Sequence, residues 1–146
     1  MPVPLVAFAR LRTGVHVSEA SSQPLSIDIS FPVEGTALVE LVGELEVVSV
    51  EEFSVRMADL DGGGRSHVVI DVAGITFVDS SGINALIRAV RSVEARGGTA
   101  VVASPSAVAQ RVFAITRLPQ LVPVEQDRPT ALRMSASQDA ISGSGD

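Results

Sequence analysis

The 146 residues carry a formal charge of −6, a pI near 4.8 and 46% hydrophobic residues, enough for one domain with a real core but not for two. The acidic balance disfavours nucleic acid, whose binding needs clustered basic side chains. All eleven basic residues are Arg and no Cys occurs, which excludes a lysine-bearing phosphate loop, Schiff-base chemistry, disulfides and thiolate metal sites.

Residues 1–23 have no clear period and end in a polar Ser18–Pro24 stretch, so they read as a mobile leader with room for a short strand near 14–17. His16 falls here and reads as a surface residue. Met1–Ala9 is apolar but has no charged leader, so no cleaved signal peptide is expected. No apolar run is long enough to span a bilayer, because Glu40, Glu44 and Glu46 interrupt the richest region. The expected compartment is the cytoplasm.

From residue 24 to 136 the pattern is that of a folded domain. Leu25, Ile27, Ile29 and Phe31 alternate with Ser26, Asp28 and Ser30, as in a half-buried strand. A turn at Pro32–Gly35 leads to a second strand, Ala37–Val42, its hairpin partner, closed by Gly43–Glu46. Ser49 and Glu52 have the spacing of a capping box. Val50, Phe53, Met57 and Leu60 form the apolar face of the helix that follows. The run Gly62–Gly64 follows a helix rather than a strand, so it reads as a flexible turn and not a phosphate cradle.

His67–Val72 is apolar except at its ends, as expected of a central strand covered on both faces. A bend through Ala73–Phe77 leads to the turn Val78-Asp79-Ser80-Ser81-Gly82. Beyond it Ile83, Leu86, Ile87, Val90 and Val93 recur at the spacing of one helical face. Asp79, Ser80 and Ser81 are all capping types, so the serines sit at a helix N-terminus beyond the end of a buried strand, where ligands gather in α/β sheets.

Gly97-Gly98 stops this helix. Thr99–Ala103 reads as a fourth strand, and Ser104-Pro105 as the start of a helix with Val108, Val112 and Ile115 on its apolar face. Leu121–Val124 reads as a fifth strand whose proline places it at an edge. Asp127-Arg128-Pro129 caps a last helix through Leu132 and Met134, and residues 137–146 read as a disordered tail. The order β-β-α-β-α-β-α-β-α predicts a single α/β domain. Its sheet of about five strands is mixed but mostly parallel, with helices packed mainly on one face.

Catalysis has little to be built from. The turn lacks the G-x-S-x-G frame of a nucleophile elbow, and His67 begins the strand whose far end carries the serines. Asp71 and Asp79 could form a carboxylate pair for a divalent ion, but they read better as a strand-end residue and a cap. A serine placed as a substrate remains. Phosphate on Ser81 would add about −1.5 to −2 charges, which the helix dipole and free amides would tolerate. An interface built over the turn would not.

In this order, Gly43-Glu44-Leu45-Glu46, the apolar strand, Phe77-Val78-Asp79-Ser80-Ser81-Gly82 and Gly97-Gly98-Thr99 resemble a STAS domain. More narrowly they resemble a bacterial anti-sigma-factor antagonist. The resemblance implies a non-enzymatic module without cofactor, nucleic acid or membrane. It would bind an anti-sigma factor that is also a serine kinase, and so release the sigma factor. It makes Ser81 the phosphoacceptor, with Asp79, Ser80 and Gly82 shaping the turn and a metal-dependent phosphatase of the PP2C type reversing the modification. The family usually has Asp where Glu46 stands, a position expected to touch the partner, and more commonly a Leu-Gly pair within Ile83-Asn84-Ala85. The exposed helix flank of Asn84, Arg88 and Arg91 is read as further contact surface, beside the bland reading of a solvated face. A STAS scaffold or subunit in a sensory or lipid-transport assembly is the alternative role.

Overall fold

Alternation in the first strand becomes β1 (Ser26–Val33), which turns back through Gly35 into β2 (Thr36–Leu45). A computed structural model describes residues 23–60 and 67–134. The expected leader up to residue 22, Gly62–Gly64, and the tail lie outside the described residues. β1 and β2 pair antiparallel, with Ile27 opposite Leu41 and Ile29 opposite Val39. The register slips between Ser30 and Val33, so Phe31 does not continue the buried row and is 50% exposed.

The chain then forms α1 (Val50–Asp59), β3 (His67–Val78), α2 (Ser80–Ala95), β4 (Thr99–Ala103) and α3 (Ala107–Thr116). A 3-10 turn (Leu118–Gln120), the two-residue strand β5 (Val124–Glu125) and a short helix α4 over 128–134 complete it. The strands lie in the order β1-β2-β3-β4-β5, with every pair after the first parallel. Consecutive parallel neighbours joined by crossovers of one hand place all the connecting helices on one face. Accordingly α1, α2 and α3 bury Phe53, Met57, Leu86, Val90, Val93 and Phe113 into one cluster with Val39, Leu41, Val68, Ile70 and Val72. Phe53 is fully buried, and truncating such a side chain costs ~3–5 kcal/mol.

The other face has a smaller cover. Leu38, Val69, Val101 and Ala103 pack under Ala131, with Leu132 beside it. Asp127 caps α4, its Oδ1 accepting from the Thr130 amide at 2.8 Å. Arg128 then reaches the sheet, donating to Glu40 and lying 3.5 Å from Asp71 Oδ2. Asp71 is therefore not a strand-end residue. It is buried within β3, where its Oδ1 also accepts from the Ala73 amide at 2.9 Å.

Several local expectations are corrected. The bend expected at Ala73–Phe77 is strand. β3 runs on to Val78 by carrying two extra residues against β2, where Glu40 and Val42 face Asp71 and Gly74, and Gly43 and Glu44 face Ile75 and Phe77. Each extra residue is a bulge that shifts the alternation, which is why the inward residues run in steps of two and then three: Ile70, Val72, Ile75, Val78. The α3 cap is Ser106 rather than Ser104, with Ser106 Oγ accepting from the Ala109 amide at 3.1 Å and donating to the Ile75 carbonyl at 2.8 Å. That cap turns α3 so that Ala109 and Phe113 face inward and Ile115 is 80% exposed. The fifth strand comprises Val124 and Glu125 only, with Pro123 just ahead of it.

Candidate functional site

β2 and β3 end side by side, Leu45 opposite Val78, and each strand end opens into a helix start. The loop after β2, residues 46–49, and the turn after β3, residues 79–82, therefore lie together. Asp79 joins them. Its extended backbone makes it the cap of α2, with Oδ1 accepting from the Gly82 amide at 2.9 Å. Its Oδ2 accepts from the Val47 amide at 3.3 Å, and its own amide donates to the Leu45 carbonyl at 3.4 Å.

Gly82 is buried where the first turn of α2 crosses Leu45. A Cβ here would lie 2.3 Å from the Leu45 carbonyl oxygen and 2.8 Å from Val78 Cγ2. Only a glycine permits that approach, so the close contact sets the height at which the serines stand above the sheet. Ser80 is exposed and Ser81 half-buried. Neither hydroxyl has a hydrogen-bond partner among the described residues. The capping role that Ser80 and Ser81 shared with Asp79 in the sequence thus falls to Asp79 alone, and both serine oxygens remain reachable.

The facing loop is held from within. Ser49 is the residue before α1, but its side chain does not cap that helix, so the capping box with Glu52 does not form. Its Oγ donates instead to the Glu44 carbonyl at 2.9 Å and accepts from the Glu46 amide at 3.1 Å. Glu46 Oε1 accepts from the Val48 amide at 2.9 Å. The Glu46 carboxylate, half-buried, is thus engaged in shaping its own turn beside the serines.

These bonds push two apolar side chains outward. Val47 is 65% and Val48 80% exposed, and Phe77, two residues before Asp79, is 47% exposed. Sequence reasoning passed over the two valines and took Phe77 only as part of a bend and of the motif. The available signal was a Val-Val pair between Glu46 and Ser49, apolar but outside any helical or strand period. On α2, Asn84, Arg88 and Arg91 are exposed at i, i+4 and i+7, one flank of the helix that begins at Ser80. The structure thus brings Glu46, Asp79, Ser80, Ser81 and Gly82 together, with Asn84 and Arg88 running away along α2.

His67 lies at the opposite end of β3, buried, with Nδ1 2.7 Å from Thr99 Oγ1. Asp71 is committed to Arg128, some 20 Å of strand from Asp79. Among the described residues no three His, Cys, Asp or Glu side chains gather as a metal site, and no helix is long and apolar enough to cross a membrane.

Residues 32–131 match the STAS domain family. The chain belongs to that family. An anti-sigma F factor antagonist from Lysinibacillus sphaericus is 29% identical over 84 residues, 57% of this chain and 72% of that protein. The Bacillus cell fate determinant SpoIIAA in its phosphorylated form superimposes with a TM-score of 0.54 at 22% identity, over 68% of this chain and 90% of that one. The murine anion transporter Slc26a9 contains a similar fold, with a TM-score of 0.67 at 17% identity over 92% of this chain and 26% of the transporter. This fold thus occurs both as a small protein and as part of a transporter.

Proposed function

We propose that this STAS domain is an anti-sigma-factor antagonist: it binds an anti-sigma factor with serine-kinase activity, releases the sigma factor, and is switched off by phosphorylation of Ser81. The observation that carries the reading is the Ser81 hydroxyl, unpartnered among the described residues and within reach, at a helix start tied through Asp79 to the loop of the exposed Val47 and Val48. Apolar side chains held out by a hydrogen-bonded loop are a surface that gains by being covered. A phosphate on the neighbouring turn must be desolvated for the same contact to form.

Transfer of the γ-phosphoryl group of ATP to Ser81 Oγ forms one O–P bond and breaks the bond to ADP, with the hydroxyl proton released. The product carries about −1.5 to −2 charges. The first amides of α2, apart from the Gly82 amide held by Asp79, lie beside it and favour the charge. The module therefore keeps its fold while its docking surface is lost. A PP2C-type phosphatase restores the binding form. Asp79, Ser80 and Gly82 shape the turn, Glu46 forms the facing loop, and Asn84 and Arg88 extend the contact. No catalytic residue and no cofactor is assigned to the chain, and its place of action is the cytoplasm.

Intact-mass measurement and peptide mapping after incubation with candidate anti-sigma kinases and ATP test the proposal. One added phosphate on Ser81, absent from Ser81→Ala, is the expected result. Tight binding without any phosphate would leave an unregulated antagonist. Neither phosphate nor binding would favour the second reading, a scaffold or subunit of a larger assembly, to which the fold shared with the murine transporter lends support.

A further inference from the structure

Beside the Ser81 turn, α1 and α2 do not close fully on one another. Between them lies an open groove of about 190 Å³, lined among others by Ser54 and Ala58 from α1, by Ala85, Arg88 and Ser92 from α2, and by Arg96 just past the end of α2. Ser81, Ala85, Arg88 and Ser92 follow one stripe of α2 at helical spacing, so the groove begins one turn beyond the phosphoacceptor.

Its chemistry is one-sided. The chain as a whole carries −6 charges, yet no Asp or Glu occurs among the described residues that line the groove. Arg88 has no ion-pair partner among the described residues. Arg96 is folded back along the groove, its Nη1 donating to the Ser92 carbonyl at 3.2 Å and to Ser92 Oγ at 3.3 Å. That contact holds its guanidinium against Ser92, one turn beyond Arg88 on the same groove. The buried residues that line its floor are Met57, Ala85, Ala89 and Val93, an apolar strip beside the arginines.

We infer that this groove receives an acidic helix of the anti-sigma partner, its carboxylates one to two turns apart and facing Arg88 and Arg96. The inference rests on the functional reading above and extends the contact from the turn along the α1–α2 seam. A helix is the occupant because an apolar floor of Met57, Ala85, Ala89 and Val93 beside two arginines fits an amphipathic helix laid with its apolar face inward and its carboxylates alongside. Acidic side chains are required because guanidinium pairs with carboxylate bidentately, and such a segment would be repelled by most of this chain's surface. The arginines therefore set where and in which register the partner seats.

The test is isothermal titration of the anti-sigma partner with the wild type, Arg88→Glu/Arg96→Glu and Arg88→Lys/Arg96→Lys, each checked by thermal melting. A photo-crosslinking residue is placed at Ser54 in an otherwise unchanged chain as a second measurement. Binding weakened at least tenfold by the Glu pair, largely kept by the Lys pair, with the Ser54 cross-link falling in an acidic helix of the partner, is expected. Wild-type affinity retained by the Glu pair, or a Ser54 cross-link to a segment without carboxylates, overturns the inference while leaving the Ser81 switch intact. No binding by the wild type to any anti-sigma factor overturns the functional reading and this inference with it.

Discussion

Gly82 lies against Leu45 so closely that a methyl group on it would fall 2.3 Å from the Leu45 carbonyl oxygen. The backbone atom cannot give way without separating α2 from the end of β2. Gly82→Ala is therefore expected to cost ~1–3 kcal/mol, despite the usual helical preference for Ala. Urea denaturation measures the loss. A variant as stable as the wild type would remove the close approach from the account of the turn.

Asp79 holds two amides from different loops, those of Gly82 and Val47. Removing the carboxylate in Asp79→Ala should cost about 1 kcal/mol, as capping residues do. It should also speed amide exchange at Val47 and Gly82 together. Asp79→Asn keeps an acceptor for the cap and is expected to lie between. Exchange that rises at Gly82 alone would show that the Val47 contact does not tie the loops.

Phosphate at Ser81 and an acidic side chain at Val48 should act on binding rather than folding. Ser81→Asp and Val48→Asp are each expected to change stability by less than ~0.5 kcal/mol, since both sites are accessible. Phosphorylated Ser81 should weaken partner affinity roughly a hundredfold, a loss of ~2.7 kcal/mol, with the Asp variants weakening it less. Ser81→Ala should bind at full strength after exposure to kinase and ATP. Calorimetry reads all of these, and unchanged affinity in Val48→Asp would take the apolar rim out of the interface.

Arg128 is the cation facing buried Asp71, whose side chain is 10% exposed, while Arg128 itself is 39% exposed. Partial screening of the arginine moderates the interaction, so Arg128→Ala should cost about 1–2 kcal/mol, below the figure for a fully buried pair. Asp71→Asn in the same chain should recover part of it, because the stranded charge is gone. No recovery would place the loss in the packing of α4 instead.

Acid should loosen α4 first at its start. The Thr130 amide, then its hydroxyl, hold the Asp127 carboxyl below the ordinary value of 3.8, with Arg133 adding to them against a small opposing effect of burial. The native state thus keeps this charge more readily than the unfolded chain. Its contribution is complete above pH 3.8 and fades as pH falls through the lower native value. The Thr130 amide shift, followed by NMR, should titrate with a midpoint below 3.8 and lose that step in Asp127→Asn. A midpoint at or above 3.8 would contradict the cap.

The order of elements and the importance of the Asp79–Gly82 turn were legible in the sequence, because both rest on local physics. Apolar spacing of two or of three to four residues states strand or helix. The absence of Lys and Cys removes whole chemistries. A parallel strand order with short crossovers leaves few ways to arrange the helices. Choosing among neighbouring polar residues was another matter. Ser104 and Ser106, or Asp79, Ser80 and Ser81, are equivalent as capping types. Which one caps depends on a second partner from elsewhere: the Ile75 carbonyl for Ser106 and the Val47 amide for Asp79.

Long-range contact likewise decided the rest. The two bulges of β3 exist because β2 supplies fewer residues over the same length, and nothing within Ala73–Phe77 states its partner's register. Ser49 turned from α1 to the Glu44 carbonyl, and Asp71 found Arg128 across the sheet. Sequence by itself determined the elements, their order and a serine at a helix start, since those follow from propensity and periodicity along the chain. Tertiary structure alone decided that Val47 and Val48 stand exposed beside the Ser81 turn, because their loop is held by a hydrogen bond to Asp79, 32 residues along the chain.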